Sequence, residues 1–236
     1  MDKRLEELGR GIVACRACPR LVEHRERVAR EKRRAYRDWD YWGRPVPGFG
    51  DSRAKLLIIG LAPAAHGANR TGRMFTGDRS GEFLYRMLHH TGFANQPTST
   101  HRGDGLVLRG AYITAGVRCA PPANKPLPEE LHNCRHFLEK EFDLLWPRAV
   151  LALGRIAFEA YLNLLKEQGQ IHSRGAFRFS HGAEFVLPGE LPRLFAAYHP
   201  SQQNTQTGRL TPAMFLRVLS RVRRFLTGKG SKRATA

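Results

Sequence analysis

The sequence predicts an α/β fold built on a mainly parallel sheet. Four short apolar runs have the length and composition of strands buried on both faces, and they lie at residues 56–59, 111–117, 149–154 and 194–198. Amphipathic segments of helical length separate these runs, and such alternation is typical of βαβ units. A chain of 236 residues is long enough to bury one sizeable core, so a single domain is expected.

The N-terminal part of the chain predicts two helices and a charged arm ahead of the first strand. Residues 2–14 carry an apolar stripe with helical spacing, and Pro19 suits the first turn of a second helix. Residues 23–38 are densely charged, which is typical of a solvated helix or arm. Residues 43–50 are rich in Pro and Gly and predict a loop.

The first strand runs into the segment around which the rest of the chain is organised. Residues 56–59 lead into GLAPAAHG at 60–67, a turn of small residues that lets another molecule approach the backbone closely. Ligands of parallel α/β sheets bind beyond the carboxyl ends of the strands, so we expect the active site here. Residues 79–91 predict the helix that follows, and residues 94–109 predict a polar loop.

The remaining elements continue the alternation of strand and helix. The second strand leads into a Pro-rich loop at residues 118–126, and Pro128 with the acidic residues after it predicts the start of a helix. The elements that complete the order are a packing helix at 155–166, a short extra strand at 184–187, a last helix at 212–226 and a frayed basic tail at 227–236.

The net charge is the strongest clue to a partner. Lys and Arg number 39 against 21 Asp and Glu, a formal charge of +18. An excess of this size favours a polyanion partner, nucleic acid first, over an Arg-rich surface that is only solvated. The chain has no apolar run of roughly 18 residues and no apolar signal region, so we expect a soluble, cytoplasmic protein without a membrane partner. The phosphate-binding motifs GxGxxG and GxxxxGK[ST] are absent.

The four cysteines form two pairs, Cys15-x2-Cys18 and Cys119-x14-Cys134. Disulfides are not expected in a basic chain without an export signal. Two thiolates two residues apart, a third on a loop after a strand and a fourth on a helix can close a tetrahedral site. Spacing does not choose between zinc and an iron–sulfur cluster, and four unrelated buried thiols are the plain alternative. Either centre would tie the N-terminal helices to the sheet.

Three stretches, taken with the cysteine frame, resemble the uracil-DNA glycosylase superfamily. They are GLAPA at 60–64 with NRTGRMFTGD at 69–78, VRCAPPANKP at 117–126, and HPS at 199–201 with QQNTQTGR at 202–209. Each motif alone is weak, whereas their order and spacing over residues 15–209 are specific. The resemblance is closest to family 5 of the superfamily, from thermophilic prokaryotes.

The resemblance implies both a fold and an activity. The fold is expected to be an α/β/α sandwich around a four-stranded parallel sheet over residues 1–226, with an N-terminal helical region stapled by a 4Fe–4S cluster on the four cysteines. The activity is expected to be that of a monofunctional DNA glycosylase. Such an enzyme flips uracil and other deaminated bases out of DNA and hydrolyses the N-glycosyl bond, leaving an abasic site. We expect a monomer associated with the nucleoid.

Cleavage of a deoxyribosyl–base bond leaves negative charge on the base, so the site needs an aromatic platform and a hydrogen-bond donor. By resemblance, Phe75 stacks on the flipped base. The pocket residues implied with it are Gly60, Leu61, Ala62 and Ala115. His199, at the end of the fourth strand, is expected to donate to the base oxygen, which neutral imidazole can do. Without the resemblance, Phe75 is equally a core residue and His199 a strand-end histidine satisfied by backbone.

The residue that positions the attacking water departs from the family pattern. The superfamily's first motif carries Asp, Asn or Glu where this chain has Leu61 or Ala62. The polar substitutes within the motifs are Asn124, Asn69 and Asp78. We favour Asn124, which stands near a cysteine in a loop expected to be rigid. Asp78 is the only carboxylate, but it also stands where the N-cap of the next helix is expected.

A second departure concerns the choice of base. In the neighbouring family 4, an Asn that reads the edge of uracil precedes the loop cysteine, where this chain has Ala115. Loss of that amide removes a discriminating contact. The sequence therefore predicts a permissive pocket that accepts purine lesions such as hypoxanthine as well as uracil.

DNA contacts are expected mostly from Arg and Lys side chains that neutralise phosphates. The residues singled out in the motifs are Arg70, Arg73, Arg209, Gln203, Asn204 and Gln206. The polar segment 202–208 is expected to be a long loop that enters the duplex where the base has left, with an ordinary surface loop as the alternative. Two other functions stay open: a non-catalytic, metal-stapled DNA-damage-binding protein, and a zinc-stapled nucleic-acid protein.

Overall fold

A computed structural model describes residues 2–228, and its six strands join one sheet in the order β1-β3-β2-β4-β6-β5. The strands are β1 (Phe49–Gly50), β2 (Leu56–Gly60), β3 (Ala111–Ala115), β4 (Ala149–Leu153), β5 (Glu184–Phe185) and β6 (Arg193–Ala197). The inner four are parallel, whereas β1 and β5 are antiparallel to their neighbours. The predicted four-stranded parallel sheet is the centre of a six-stranded one. Strand β1 lies in a segment predicted as loop.

Eight α-helices accompany the sheet in the described residues. They are α1 (Lys3–Ala14), α2 (Pro19–Glu31), α3 (Ala68–Thr71), α4 (Arg79–His90), α5 (Pro128–Leu145), α6 (Arg155–Glu167), α7 (Gln202–Gln206) and α8 (Pro212–Leu226). Two single-turn 3₁₀ helices lie at Arg34–Tyr36 and Pro122–Asn124. Between residues 2 and 228, none of the helices combines the length and the apolarity that a membrane crossing requires. The predicted basic tail lies outside the described residues from residue 229 onward.

The segment after β6 differs from the expected loop. Residues 202–206 form helix α7, and the side chain of Ser201 caps it by accepting a hydrogen bond from the N–H of Asn204. Ser is among the preferred N-cap residues because its hydroxyl satisfies a backbone donor that the first helical turn leaves free. The expectation of a long loop at 202–208 is therefore corrected to a capped short helix.

The inner strands fill two cores because successive residues of a strand point to opposite faces of the sheet. In β2, Leu56 and Ile58 pack with the apolar faces of α4 and α8. Leu57 and Ile59 pack with those of α5 and α6 on the other side. The continuous apolar runs of the sequence thus serve both faces. The architecture is a three-layer α/β/α sandwich.

The N-terminal helices join this sandwich through a third, smaller core. Its buried members are Ile12 of α1, Leu21 of α2, Val117 and Cys119 of the loop after β3, and Cys134 and Phe137 of α5. An ion pair reinforces the same junction, since Nη2 of Arg20 lies 2.7 Å from Oε2 of Glu130. The N-terminal region is therefore attached largely through α5, while Leu5 of α1 is buried in the second core with Tyr112 of β3.

A buried ion pair fixes the start of the loop that follows β3. Nη2 of Arg118 lies 2.6 Å from Oε2 of Glu141, and each side chain is only 1% exposed. The hydroxyls of Thr114 and Tyr112 donate to the same carboxylate. One acidic side chain of α5 thus gathers three donors from β3 and its loop, next to the position of Cys119.

The first prediction concerns this carboxylate. Glu141→Ala leaves the guanidinium of Arg118 buried without its anion, so we expect the free energy of unfolding to fall by about 3–5 kcal/mol. Glu129→Ala, an exposed acid on the same helix, is the control and should change it by no more than about 0.5 kcal/mol. Urea unfolding measures both. Equal effects of the two substitutions would contradict the structural role of Glu141.

Candidate active site

The carboxyl ends of β2 and β6 bring Phe75 and His199 together over Gly60. A Cβ atom at Gly60 would lie 2.8 Å from Cε2 of Phe75, so glycine is what lets the ring rest on the end of β2. The ring centroids of Phe75 and His199 are 5.7 Å apart, and their planes are inclined by 31°. Ala115 of β3 is paired with Gly60 and is buried at the same edge of the sheet.

The backbone of Phe75 is held in an unusual conformation. Its φ of 51° lies in the left-handed region, which is costly for an aromatic residue and persists only where the surroundings enforce it. The hydroxyl of Tyr85 donates to the carbonyl of Met74 at 2.8 Å. The carbonyl of Phe75 packs against Gly81 of α4 so closely that a Cβ atom there would collide with it. The ring is therefore preset before any ligand binds.

His199 carries an imidazole that is neutral and free to donate. Burial lowers the pKa of His199 to about 4. Asn204 of α7 fixes the backbone, because its Nδ2 donates to the carbonyl of His199 at 2.8 Å. Within residues 2–228, neither ring nitrogen of His199 has a protein hydrogen-bond partner. The ring is thus not the backbone-satisfied histidine of the plain alternative.

A cavity of 390 Å³ opens beside the ring of His199. The residues that line it at the strand ends and on α7 are Leu61, Gly154, Arg155, Tyr198, Asn204 and Arg209. Gly154 has a φ of 90°, and a Cβ atom there would lie 3.3 Å from the Cβ of His199. Sites for small ligands span about 300–1,000 Å³. The cavity therefore has room for a single nucleobase.

Asp78 caps helix α4 with one of its two carboxylate oxygens. Oδ1 accepts a hydrogen bond from the N–H of Gly81 at 2.9 Å, as expected of an N-cap. Oδ2 faces the small-residue turn, where a Cβ atom at Gly67 would collide with it. Burial raises the pKa of Asp78, against the opposing effect of its backbone hydrogen bonds. Because the cap engages Oδ1, capping and a second role of the carboxylate are compatible.

The two asparagines considered for the water lie apart from the ring of His199. Asn69 is fully buried in α3, and its Nδ2 donates to the carbonyls of Arg25 and Ala65 at 3.3 and 3.4 Å. Asn124 is exposed at the end of its 3₁₀ helix, with a φ of 55°. Neither lines the 390 Å³ cavity. Gly60, Phe75, Asp78 and Ala115 do not line it either, so the turn after β2 reaches the cavity through Leu61 and through the approach of Phe75 to His199.

Arg70 and Arg73, expected at DNA phosphates, are committed inside the protein. Both terminal nitrogens of Arg73 lie 2.7 Å from the carboxylate oxygens of Asp104, and the arginine is 4% exposed. The guanidinium of Arg70 donates to two backbone carbonyls of its own turn and lies 4.0 Å from the ring centroids of both Tyr36 and Trp39. The expected phosphate contact is corrected to an internal role, which is to brace the turn that presents Phe75.

Helix α7 points its polar residues both inward and outward. Asn204 faces inward and holds the backbone of His199, as described above. Gln203 and Gln206 are exposed. The guanidinium of Arg209, also exposed, lies 4.9 Å from the ring centroid of Tyr198 at the cavity. The outward side chains are therefore accessible to a ligand, whereas Asn204 serves the protein.

Some residues of the cavity were not predicted from the sequence. Arg155 lines the cavity and begins α6 directly after β4. Its position at the carboxyl end of a parallel strand is the signal that pointed to His199, and it could have identified Arg155 as well. Phe179 and Ser180 also line the cavity. They come from the segment before β5, where no motif or periodicity indicates them.

The pocket residue Ala62 faces away from the cavity, toward the cysteines. All four cysteines are free and border one small cavity of 20 Å³, and Ala62 packs against the same cluster. Nη1 of Arg25 lies 2.9 Å from Sγ of Cys119, and the N–H of Arg118 donates to Sγ of Cys134 at 3.3 Å. Four thiols with N–H donors aimed at sulfur have the chemistry of a thiolate-bound centre.

The geometry of the thiols by itself does not specify a metal. Burial raises the pKa of Cys134 to about 12, so its sulfur stays protonated at neutral pH unless a cation engages it. In the part of the chain that the structure describes, no three His, Cys, Asp or Glu side chains are close enough together to hold a metal ion. The cluster predicted from the sequence therefore stays a prediction.

Comparison with known proteins identifies the family. The family model described as the uracil DNA glycosylase superfamily matches residues 47–223. The chain belongs to the uracil-DNA glycosylase superfamily. A type-5 uracil-DNA glycosylase of Thermus thermophilus is 56% identical over 90% of this chain and 94% of its own length. Type-5 enzymes of Mycobacterium leprae (53% identical, 89% of this chain, 90% of theirs) and Pyrobaculum aerophilum (46%, 89% and 88%) are also similar.

Membership of the superfamily confirms the resemblance inferred from the motifs. It also confirms that the chain is a DNA glycosylase, a hydrolase that cleaves N-glycosyl bonds. The matched residues 47–223 contain the small-residue turn after β2, Phe75 and His199. The site described above therefore lies within the region that the superfamily shares.

The second prediction follows from the lowered pKa of His199. Between the ordinary value of 6.5 and the folded value of about 4, the unfolded chain takes up a proton and the folded chain does not. The free energy of unfolding is therefore undiminished by His199 above pH 6.5, and it decreases as the pH falls toward 4 because protonation favours the unfolded chain. We expect Tm to fall less over this range in His199→Gln than in the wild type, as measured by circular dichroism. The exposed His172→Gln is the control, and parallel curves for wild type and His199→Gln would refute the assignment.

Proposed function

We propose that this enzyme removes uracil from DNA as a monofunctional glycosylase and leaves an abasic site. The observation that carries the proposal is the pairing of Phe75 with His199 over Gly60, beside a cavity with room for one base. The names of the relatives support it, since type-5 uracil-DNA glycosylases match about nine tenths of the chain. The partner is lesion-containing DNA of the nucleoid. A single chain suffices, because every residue named in the reaction comes from one copy.

The target base must leave the duplex stack before it can reach the cavity. Stacking lost in the duplex is replaced by the ring of Phe75, whose position is preset by Gly60 and by the packing of its backbone on α4. Gln203 and Gln206 are exposed on α7, next to the backbone of His199. They are suited to fill the gap that the base leaves, and exposed Arg209 is suited to a neighbouring phosphate.

His199 stabilises the departing base. Negative charge builds on the base oxygen as the N-glycosyl bond breaks, and a donor that is already oriented gains strength at that moment. A neutral imidazole supplies such a donor, and burial keeps His199 neutral by lowering its pKa to about 4. No proton has to be transferred. Loss of one oriented donor of this kind typically lowers the rate by about 10²–10³-fold.

The water needs an acceptor near the sugar. Asn69 is less suited, because its amide N–H groups are directed at the carbonyls of Arg25 and Ala65. Asp78 belongs to the same turn as Phe75 and keeps Oδ2 outside the helix cap. We propose that Asp78 accepts a hydrogen bond from the attacking water. Asn124 is exposed on the loop after β3 and is proposed to orient the water once DNA covers that loop.

The pocket is proposed to accept other deaminated bases, hypoxanthine included. Ala115 ends β3 beside Gly60, and its methyl group offers no amide that would read the edge of uracil. Selectivity of an enzyme against a wrong base depends on polar groups that the wrong base would leave unpaired. Without such a group at this position, Ala115 gives the pocket no means of rejecting a purine lesion.

The third prediction tests activity and base choice together. Single-turnover assays on oligonucleotides with uracil, hypoxanthine or thymine, single- and double-stranded, should give alkali-labile abasic sites with the first two bases and none with thymine. Rates for uracil and hypoxanthine should agree within roughly a hundredfold, because the discriminating amide is missing. Strict selectivity for uracil would contradict the permissive pocket. Lesion binding without cleavage would favour the non-catalytic, metal-stapled DNA-damage-binding alternative.

The fourth prediction separates the two roles of Asp78, which are to cap helix α4 and to act in the reaction. Asp78→Ser keeps an N-cap of similar strength but removes the carboxylate. We expect an unchanged Tm, unchanged DNA affinity and a single-turnover rate lower by about 10²-fold, the usual contribution of a positioned acceptor. Thr211→Ser, at the N-cap of α8, is the matched control and should leave the rate unaltered. A full rate in Asp78→Ser would limit Asp78 to capping.

The same assay examines Asn124. Asn124→Ala should lower single-turnover excision by about tenfold or more while DNA affinity stays nearly constant. Asn124→Gly controls for the backbone, since glycine accepts the left-handed φ of 55° without strain. Equal losses in the two variants are expected if the amide matters. A wild-type rate in both would exclude Asn124 from the mechanism.

The four cysteines are proposed to hold a 4Fe–4S cluster, with a structural zinc ion as the alternative. Support comes from their shared cavity, from the N–H donors on Cys119 and Cys134, and from the free state of all four thiols. When bound, the cluster supplies a covalent tie between the N-terminal helices and α5, where the third core is small. Base excision itself uses only the side chains around the cavity.

The fifth prediction concerns this centre. Anaerobically purified protein should be brown, with iron and inorganic sulfide in stoichiometric amounts and broad visible absorption. Cys134→Ser should lose the colour and the iron and should lower Tm, because the tie to α5 is broken. Colourless protein with one zinc per chain would establish the zinc alternative. If the wild-type protein contains no metal and Cys134→Ser has the wild-type Tm, the cysteines are four unrelated thiols.

A further inference from the structure

A second and larger cavity lies on the far side of β3 from the base cavity. This edge groove has a volume of 1170 Å³ and runs between the N-terminal helices and the edge strand β1. Its lining residues include Arg10, Arg30, Trp42, Arg44, Phe49 and Arg102. It shares no lining residue with the cavity at His199. The reaction described above makes no use of it.

The edge groove is strongly cationic. Six arginines and two glutamates line it. Two of these arginines are already engaged, because Arg16 pairs with Glu26 at 2.6 Å and Arg25 donates to Cys119. The other four are Arg10, Arg30, Arg44 and Arg102, and all are exposed. Among residues 2–228 none of them has an acidic partner within 4 Å, and Glu6 is the one lining glutamate not already paired with Arg16.

Aromatic side chains stand among these cations. Trp42 is fixed by two hydrogen bonds, from Nε1 to the carbonyl of Pro45 at 3.0 Å and from its backbone N–H to the carbonyl of Arg70 at 2.9 Å. The guanidinium carbons of Arg102 and Arg44 lie 4.5 and 5.7 Å from its ring centroid. The indole therefore orders two cations at the groove wall. Tyr41, Phe49 and Tyr112 add further aromatic surface.

We propose that the edge groove binds single-stranded DNA at a site separate from the base cavity. A cationic groove with interspersed aromatic rings is typical of proteins that hold a single strand, since the guanidinium groups pair with phosphates and the rings contact unstacked bases. The occupant is a single strand rather than a duplex, because aromatic rings can contact the faces of bases only where those bases are unstacked. Binding there requires neither a lesion nor base excision.

The test uses the full chain and a fluorescein-labelled oligothymidylate, which contains no uracil. Replacing Arg10, Arg30, Arg44 and Arg102 by Ala removes four phosphate contacts. At about 0.7 per contact for a single strand, the slope of log affinity against log salt should become shallower by about 3, and affinity at low salt should fall at least about tenfold. Fluorescence anisotropy across a salt series measures both quantities.

A matched variant separates the groove from the overall charge. Arg86, Arg109, Arg217 and Arg224 are exposed and line neither cavity. Their replacement by Ala removes the same charge and should leave most of the slope and the affinity intact. Equal losses in the two quadruple variants would overturn the proposal. The proposal would also be overturned if the groove variant lost as much affinity for a lesion-free duplex of matched length as for the single strand. The groove would then bind DNA of any form.

A measurement on the wild-type chain keeps the proposal independent of any variant. Photo-crosslinking of a thiothymidine-containing single strand, followed by mass spectrometry, should label the peptide that carries Trp42 and Phe49. Labels confined to the peptide of residues 199–209 would refute the second site. The groove variant should also keep its single-turnover rate on saturating uracil-containing duplex. A lost rate would show that the groove belongs to the reaction, whereas failure of the wild type to excise uracil concerns the proposed function alone.

Discussion

The ring of Phe75 can lie against the end of β2 only because Gly60 has no Cβ atom. This single close approach sets the geometry of the site. The ring lies 5.7 Å from that of His199, and the backbone of Phe75 is in the left-handed region. That conformation in turn requires a turn that is braced from several directions, and Gly81 of α4 leaves the space for its carbonyl. The geometry of the site and the local strain thus meet at the same residue, Phe75.

The bracing explains why the motif arginines are buried. A strained turn of small residues has little apolar surface of its own to stabilise it, so the chain uses charged and stacked contacts. Arg73 is held by Asp104, and Arg70 lies against Tyr36 and Trp39. Contacts with DNA must therefore come from other side chains. Exposed arginines such as Arg209, at the mouth of the base cavity, remain available to phosphates.

The parts of the fold that the sequence predicts are those that local patterns determine. Continuous apolar runs identify the four inner strands, and Pro19 and Pro128 do begin the helices α2 and α5. His199 was singled out by its position at a strand end together with the resemblance of the HPS motif at 199–201. The burial of Arg73 could not be predicted, because its partner Asp104 lies 31 residues away and only the folded chain brings them together. The edge strand β1 escaped for the same reason, since two residues acquire strand geometry only from a neighbour, whereas β5 lies within the short extra strand predicted at 184–187.

Arg25 of α2 contacts the surroundings of both sites at once. Its guanidinium reaches the sulfur of Cys119, while its backbone carbonyl accepts a hydrogen bond from Asn69, whose helix α3 leads into the turn with Phe75. The thiol site and the reaction turn are therefore neighbours through one residue rather than independent modules. Substitutions that remodel either site have to preserve this shared contact. In homologous chains the two sites are accordingly expected to diverge in concert, and grafting one of them alone onto another scaffold would lose the other's support.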